Sequence, residues 1–131
     1  MKIPNLIGYQ TSSEGTINYQ TINPITDQIH SELFIEATSE EIERTMDLAH
    51  TAYRPFSRLS PLKRAAFLNV IAAKLEAHRT HLIQTYCSES GLSAQRAELE
   101  LARTTYQLRS FADLISEENW EVRHHEEAQP H

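Results

Sequence analysis

The stretch Ser93-Ala94-Gln95-Arg96-Ala97-Glu98-Leu99-Glu100-Leu101-Ala102-Arg103-Thr104-Thr105-Tyr106-Gln107-Leu108-Arg109-Ser110-Phe111-Ala112 decides the fold. Ser93 is a helix N-cap residue, and Ala97, Leu101, Leu108, Phe111, Ala112 and Ile115 recur at helical spacing. These positions predict one long helix, from Ser93 to Glu117, with that set as its buried side. At about 1.5 Å per residue it is roughly 37 Å long. A second stripe, Arg96, Glu100, Arg103 and Gln107, flanks the apolar one. Two readings of this stripe stand open. It is a solvated face knitted by Arg96–Glu100 and Glu100–Arg103 pairs, each worth about 0.2–0.5 kcal/mol. Alternatively Arg103 offers its guanidinium fork to a substrate carboxylate, oriented by Glu100 and assisted by the Gln107 amide.

Upstream of this helix, Gly91 suits a left-handed C-terminal cap. Leu82, Ile83 and Tyr86 form one short apolar run, and Leu68, Ile71, Ala72 and Leu75 another. Between them Ala77-His78-Arg79-Thr80 loses the pattern, which predicts a break. Ser60-Pro61 opens the earlier of these helices, with proline at the first position where its missing N–H costs little. Thr38 and Glu41 make a capping box ahead of Ile42, Met46, Ala49, Tyr53 and Phe56, a stripe that ends near Pro55. Residues 16–22 and 28–36 alternate, with Ile29, Leu33 and Ile35 on one side, and Asn23-Pro24-Ile25-Thr26-Asp27 turns between them. That predicts an antiparallel hairpin. The expected fold is α+β and mostly helical, a hairpin followed by three or four helices. A loose stretch over 1–15 precedes the hairpin, helices occupy 38–117, and a polar tail covers 118–131.

Composition narrows the function. The 131 residues carry a net charge of -6, which draws the chain toward neither nucleic acid nor anionic lipid. No apolar run is long enough to span a membrane. The lone Cys87 forms no internal disulfide, and together with the lack of a secretory segment it points to a cytoplasmic setting. Cys87 reads as a small helical side chain. His78 and His81, and the His124-His125 pair, lack the further ligands of a metal site. The three glycines, Gly8, Gly15 and Gly91, are scattered, so no glycine loop of this chain cradles a nucleotide phosphate.

Several runs resemble the aldehyde dehydrogenases. Asn23-Pro24-Ile25-Thr26-Asp27 resembles that family's Asn-Pro-x-Thr-Gly turn. Ala52-Tyr53-Arg54-Pro55-Phe56-Ser57-Arg58-Leu59 resembles the end of its next helix, and Ser60-Pro61-Leu62-Lys63-Arg64-Ala65-Ala66-Phe67-Leu68 the start of the one after. Glu89-Ser90-Gly91-Leu92, with Glu100, Arg103-Thr104, Gln107-Leu108-Arg109 and Phe111-Ala112, resembles the α-ketoglutaric semialdehyde (2,5-dioxovalerate) branch, as do Trp120 and Ala128-Gln129-Pro130.

The resemblance implies the N-terminal part of an α/β dehydrogenase that oxidises a semialdehyde with NAD or NADP, as a cytoplasmic homo-oligomer. It implies that the coenzyme strands, the catalytic cysteine and the general-base glutamate lie in the remainder of the dehydrogenase chain. Cys87 does not match the catalytic cysteine. This segment alone is therefore expected to bind no cofactor and to be inactive. The family's channel-facing positions fall on Leu99, Arg103 and Gln107, with Glu100 beside them, which favours a substrate-binding role for these residues. The rival expectations are a stand-alone helical protein-interaction module and an aldehyde dehydrogenase of another branch.

Overall fold

The computed structural model describes residues 1–117, so the polar tail, Trp120, the His124-His125 pair and Ala128-Gln129-Pro130 lie outside the described residues. Five short strands precede four helices: β1 (Lys2–Ile3), β2 (Asn5–Ile7), β3 (Gln10–Ser12), β4 (Asn18–Tyr19), β5 (Leu33–Ile35), α1 (Ser39–Ser57), α2 (Pro61–Ala77), α3 (Arg79–Ser90) and α4 (Ala94–Ser116).

The first fifteen residues, expected to be loose, are ordered by pairing. β2 and β3 form an antiparallel ribbon, and β1 runs parallel to β5. These strands are two or three residues long, too short to leave an alternation in the sequence. The predicted hairpin forms as β4 against β5, with Tyr19 opposite Phe34 and their rings stacked 5.5 Å apart. Its regular ladder is shorter than 16–22 and 28–36. Toward the turn it continues as an isolated Ile22–Ile29 bridge and an Asn23 N–H bond to the Gln28 carbonyl. Ile29 is exposed rather than inward. In the turn, Asp27 takes a positive φ of 56° where the family pattern has glycine. Aspartate tolerates that region better than most residues.

The helix ends follow local chemistry. Thr38 and Glu41 form the expected capping box, Ser60 and Ser93 cap α2 and α4, and Gly91 ends α3 in the left-handed conformation. The break falls at His78, between α2 and α3. Pro55, expected to mark the end of α1, lies inside it. Proline there removes one donor, and the helix closes two residues later, where the Arg58 N–H turns to the Phe56 carbonyl.

The two ion pairs Glu76–Arg109 and Arg79–Glu98 set α4 antiparallel to the α2–α3 line. α2 and α4 form the main helix interface, in which Ala65 and Ala72 on one helix, and Ala97, Thr105 and Ala112 on the other, are buried. Small side chains at these positions let the two backbones approach closely. Two expectations for the apolar stripes change. Thr105 takes a buried place on α4 by bonding its hydroxyl to the Ala102 carbonyl, while Phe111 is exposed. The stripe of α1 faces outward as well, because α1 is held by its other side, through Glu41 and Arg44.

Candidate functional site

The outward face of α4 carries the candidate site. Leu99, Arg103 and Gln107, spaced one turn apart, are all exposed, and Glu100 is half-buried beside them. Glu100 does not turn to Arg103. Its carboxylate binds the Arg96 guanidinium at 2.5 Å, so the Arg96–Glu100 pair exists and the Glu100–Arg103 pair does not. Arg109 is held by Glu76 in a two-pronged pair, 2.7 Å on each arm. That pairing raises the guanidinium pKa and lowers the Glu76 carboxyl below the usual carboxylate range. Of the three arginines on α4, Arg103 alone has no hydrogen bond or ion pair among the described residues. A planar, permanently charged fork without an internal partner can bind an external carboxylate through two parallel hydrogen bonds.

The start of α4 is fixed by two contacts from the hairpin. First, Pro24 and Ile25 sit against Gly91 so closely that a β-carbon there would lie 3.0 Å from each. Second, His30 bridges the hairpin to α3, with Nδ1 at 2.9 Å from the Thr21 hydroxyl and Nε2 at 2.8 Å from the Ser88 hydroxyl. Thr21 donates its one hydroxyl proton to Glu89 at 3.2 Å. It therefore accepts from His30 Nδ1–H. The turn 23–27 and the run 89–92, distant in sequence, thus meet in space. The His30 bridge was not legible in the sequence, since His30 lies on the polar side of its strand and Ser88 comes from another element.

On the neighbouring side of α4, the Glu76–Arg109 and Arg79–Glu98 pairs flank an open cleft of about 600 Å³, lined also by Leu101, Ala102 and Tyr106. Its charges are already matched, so it offers an ionic ligand little. Among the described residues no group of three His, Cys, Asp or Glu side chains is arranged to hold a metal, and no helix is long and apolar enough to cross a membrane. Cys87 is half-buried near the end of α3. The β-carbon space of Gly91 is filled by Pro24 and Ile25, and that of Gly15 by the Glu36 carbonyl.

The geometry agrees with what the chain is similar to. The aldehyde dehydrogenase family model matches residues 9–130. The α-ketoglutaric semialdehyde dehydrogenase of Acinetobacter baylyi is 32% identical over 96 residues, covering 73% of this chain and 18% of that protein. The α-ketoglutaric semialdehyde dehydrogenase 2 of Azospirillum brasilense is 35% identical over 103 residues, covering 78% of this chain and 19% of that protein. Among solved structures, lactaldehyde dehydrogenase from Escherichia coli superposes with a TM-score of 0.86 at 22% identity, over 98% of this chain and 27% of that one. An NAD-dependent benzaldehyde dehydrogenase from Corynebacterium glutamicum gives 0.79 at 22% identity, over 86% of this chain and 25% of that one. The chain thus spans about a fifth of the length of the curated relatives it matches and about a quarter of the solved structures. With its mostly helical fold and its match across nearly all of its length, this chain belongs to the aldehyde dehydrogenase family, as an N-terminal segment of it.

Proposed function

We propose that this chain is the substrate-entrance part of an NAD(P)-dependent dehydrogenase that oxidises a semialdehyde, α-ketoglutaric semialdehyde (2,5-dioxovalerate), to 2-oxoglutarate. Arg103 binds the carboxylate at the far end of the substrate. Leu99 and Gln107, one turn to either side, supply an apolar wall and an amide. Glu100 keeps Arg96 occupied, which leaves Arg103 free for the substrate. The coenzyme, the thiol that attacks the aldehyde and the base that activates water belong to the remainder of the dehydrogenase chain, and the segment alone does no chemistry. The complete enzyme works in the cytoplasm as a homo-oligomer.

The observation that carries this reading is the unpaired, exposed Arg103 on a helix whose other two arginines are matched. Its support in the comparisons is that both curated relatives are named for a substrate bearing a carboxylate. The test grafts this chain onto the remainder of a semialdehyde dehydrogenase and compares Arg103→Ala with the unmutated graft. Losing a charge-assisted hydrogen bond costs about 1.5–3 kcal/mol. That corresponds to a rise in KM of roughly 10- to 150-fold for the acidic semialdehyde, with little change for a neutral aldehyde of similar length. An equal effect on both substrates would remove the carboxylate assignment and favour a branch acting on neutral aldehydes.

A further inference from the structure

Glu100 stands between two arginines on one side of α4. Arg96 lies four residues before it and Arg103 three residues after, and either spacing brings a helical acid–base pair within reach. The two arginines, seven residues apart, fall within about 20° of each other around the helix axis. The carboxylate has gone to Arg96, at 2.5 Å. That choice is a narrow one. On an isolated helix the better pair has the acid N-terminal to the base, and Arg96–Glu100 runs the other way. Two further arginines near α4 are already taken, Arg79 by Glu98 and Arg109 by Glu76. The charge of this face therefore depends on Arg96. With the pair made, Arg96 and Glu100 cancel, and the positive charge of Arg103 stands uncompensated. Without Arg96, Glu100 and Arg103 remain as one anion beside one cation.

We propose that Arg96 is a positioning residue for the carboxylate site: it holds Glu100 away from Arg103, and Glu100, once released, binds Arg103 and competes with the acidic end of the substrate. This inference rests on the carboxylate role proposed for Arg103. It gives Arg96 a share in substrate choice without any contact with the substrate. It also reverses the part that spacing suggests for Glu100. A carboxylate three residues from Arg103 is an internal rival of the substrate rather than an aid to it, and Arg96 neutralises the rival. Neutral aldehydes have no carboxylate to displace, so the pair acts on acidic substrates alone. Removing Arg96 leaves the helix start intact, because Ser93 accepts from the backbone N–H of position 96 and not from its side chain.

Two measurements test it. The first uses the full chain and follows the arginine Nε–Hε groups by heteronuclear NMR. In Arg96→Ala the Arg103 signal should move, and its hydrogen exchange should slow, as Glu100 binds it. Adding Glu100→Gln should return both to the parent values. An Arg103 signal indifferent to the loss of Arg96 would overturn the proposal. The second uses the graft onto the remainder of a semialdehyde dehydrogenase. There Arg96→Ala should raise KM for the acidic semialdehyde roughly 3- to 10-fold, the effect of one uncompensated charge about a helical turn away. Neither kcat nor the KM for a neutral aldehyde should change. Adding Glu100→Gln should bring the acidic KM back to within about twofold of the parent, because the rival charge is gone. A rise that Glu100→Gln fails to rescue would mean that Arg96 itself binds substrate, and would overturn the proposal. If Arg103→Ala leaves the acidic KM unchanged, the carboxylate reading falls and the role of Arg96 falls with it, even where the NMR change is present.

Discussion

Glu41 shows how much one side chain can organise. It is fully buried, yet it is a carboxylate. Its pKa is lowered by the Ser12 hydroxyl first and the Thr38 backbone N–H next, with the Glu14 N–H and the Arg44 charge adding to them against the cost of burial. One oxygen completes the capping box at 2.8 Å, while the other holds the β3–β4 connection at Glu14. Arg44 closes over the top, binding both Ser12 and Glu14. The capping box was legible because its partners are three residues apart. The clasp was not, because Ser12 and Glu14 come from a stretch with no periodic signal. A carboxyl held below its unfolded value contributes stability that is present above that value, about 4.3, and is lost as pH falls through the lower folded value. The melting temperature should therefore drop on acidification from pH 5 to pH 3. Glu41→Gln should melt lower at pH 7 and show a smaller acid-induced drop. A variant that melts as the parent does across that range would mean the clasp adds nothing.

At the scale of elements, caps and packing divide the molecule into what local sequence states and what it omits. Ser60, Ser93, Gly91 and the break at His78 fall where local chemistry predicts, since each end is decided within a few residues. The stripes were legible as stripes. Which of them would be covered was not, because periodicity marks an apolar face without naming its neighbour. The stripes on α2 and α4 meet each other, whereas that of α1 is exposed except where the Phe56 ring meets Phe67 of α2 edge-on. The joint between the hairpin and α4 rests on Gly91, whose φ of 70° favours glycine and whose missing β-carbon makes room for Pro24 and Ile25. Gly91→Ala imposes a left-handed conformation costing about 1–2 kcal/mol before any clash with the turn. Calorimetry should report a fall in melting temperature of at least about 4 °C. Amide exchange should speed up most in residues 88–98, where the joint sits. An unchanged melting temperature would show that the turn moves aside freely.

At the scale of the whole molecule, the described residues build two small sheets followed by four helices. Four of the six buried apolar residues are alanines, and many larger apolar side chains are exposed. That balance suits a piece whose surfaces are meant to be covered, and it argues against the self-contained interaction module. At the candidate site, Leu99, Arg103 and Gln107 were legible as one face from their spacing. The freedom of Arg103 was not, because it depends on Glu100 choosing Arg96 over a neighbour at similar distance along the helix. We propose that this chain provides the entrance wall of a dehydrogenase whose chemistry resides in the remainder of the domain. The most direct test follows absorbance at 340 nm when the purified chain is mixed with α-ketoglutaric semialdehyde and NAD or NADP. The expected result is no reduced coenzyme from the chain alone, and aldehyde-dependent reduction only once the chain is grafted onto the remainder of a related enzyme. Coenzyme reduction by the isolated, contaminant-free chain would contradict it.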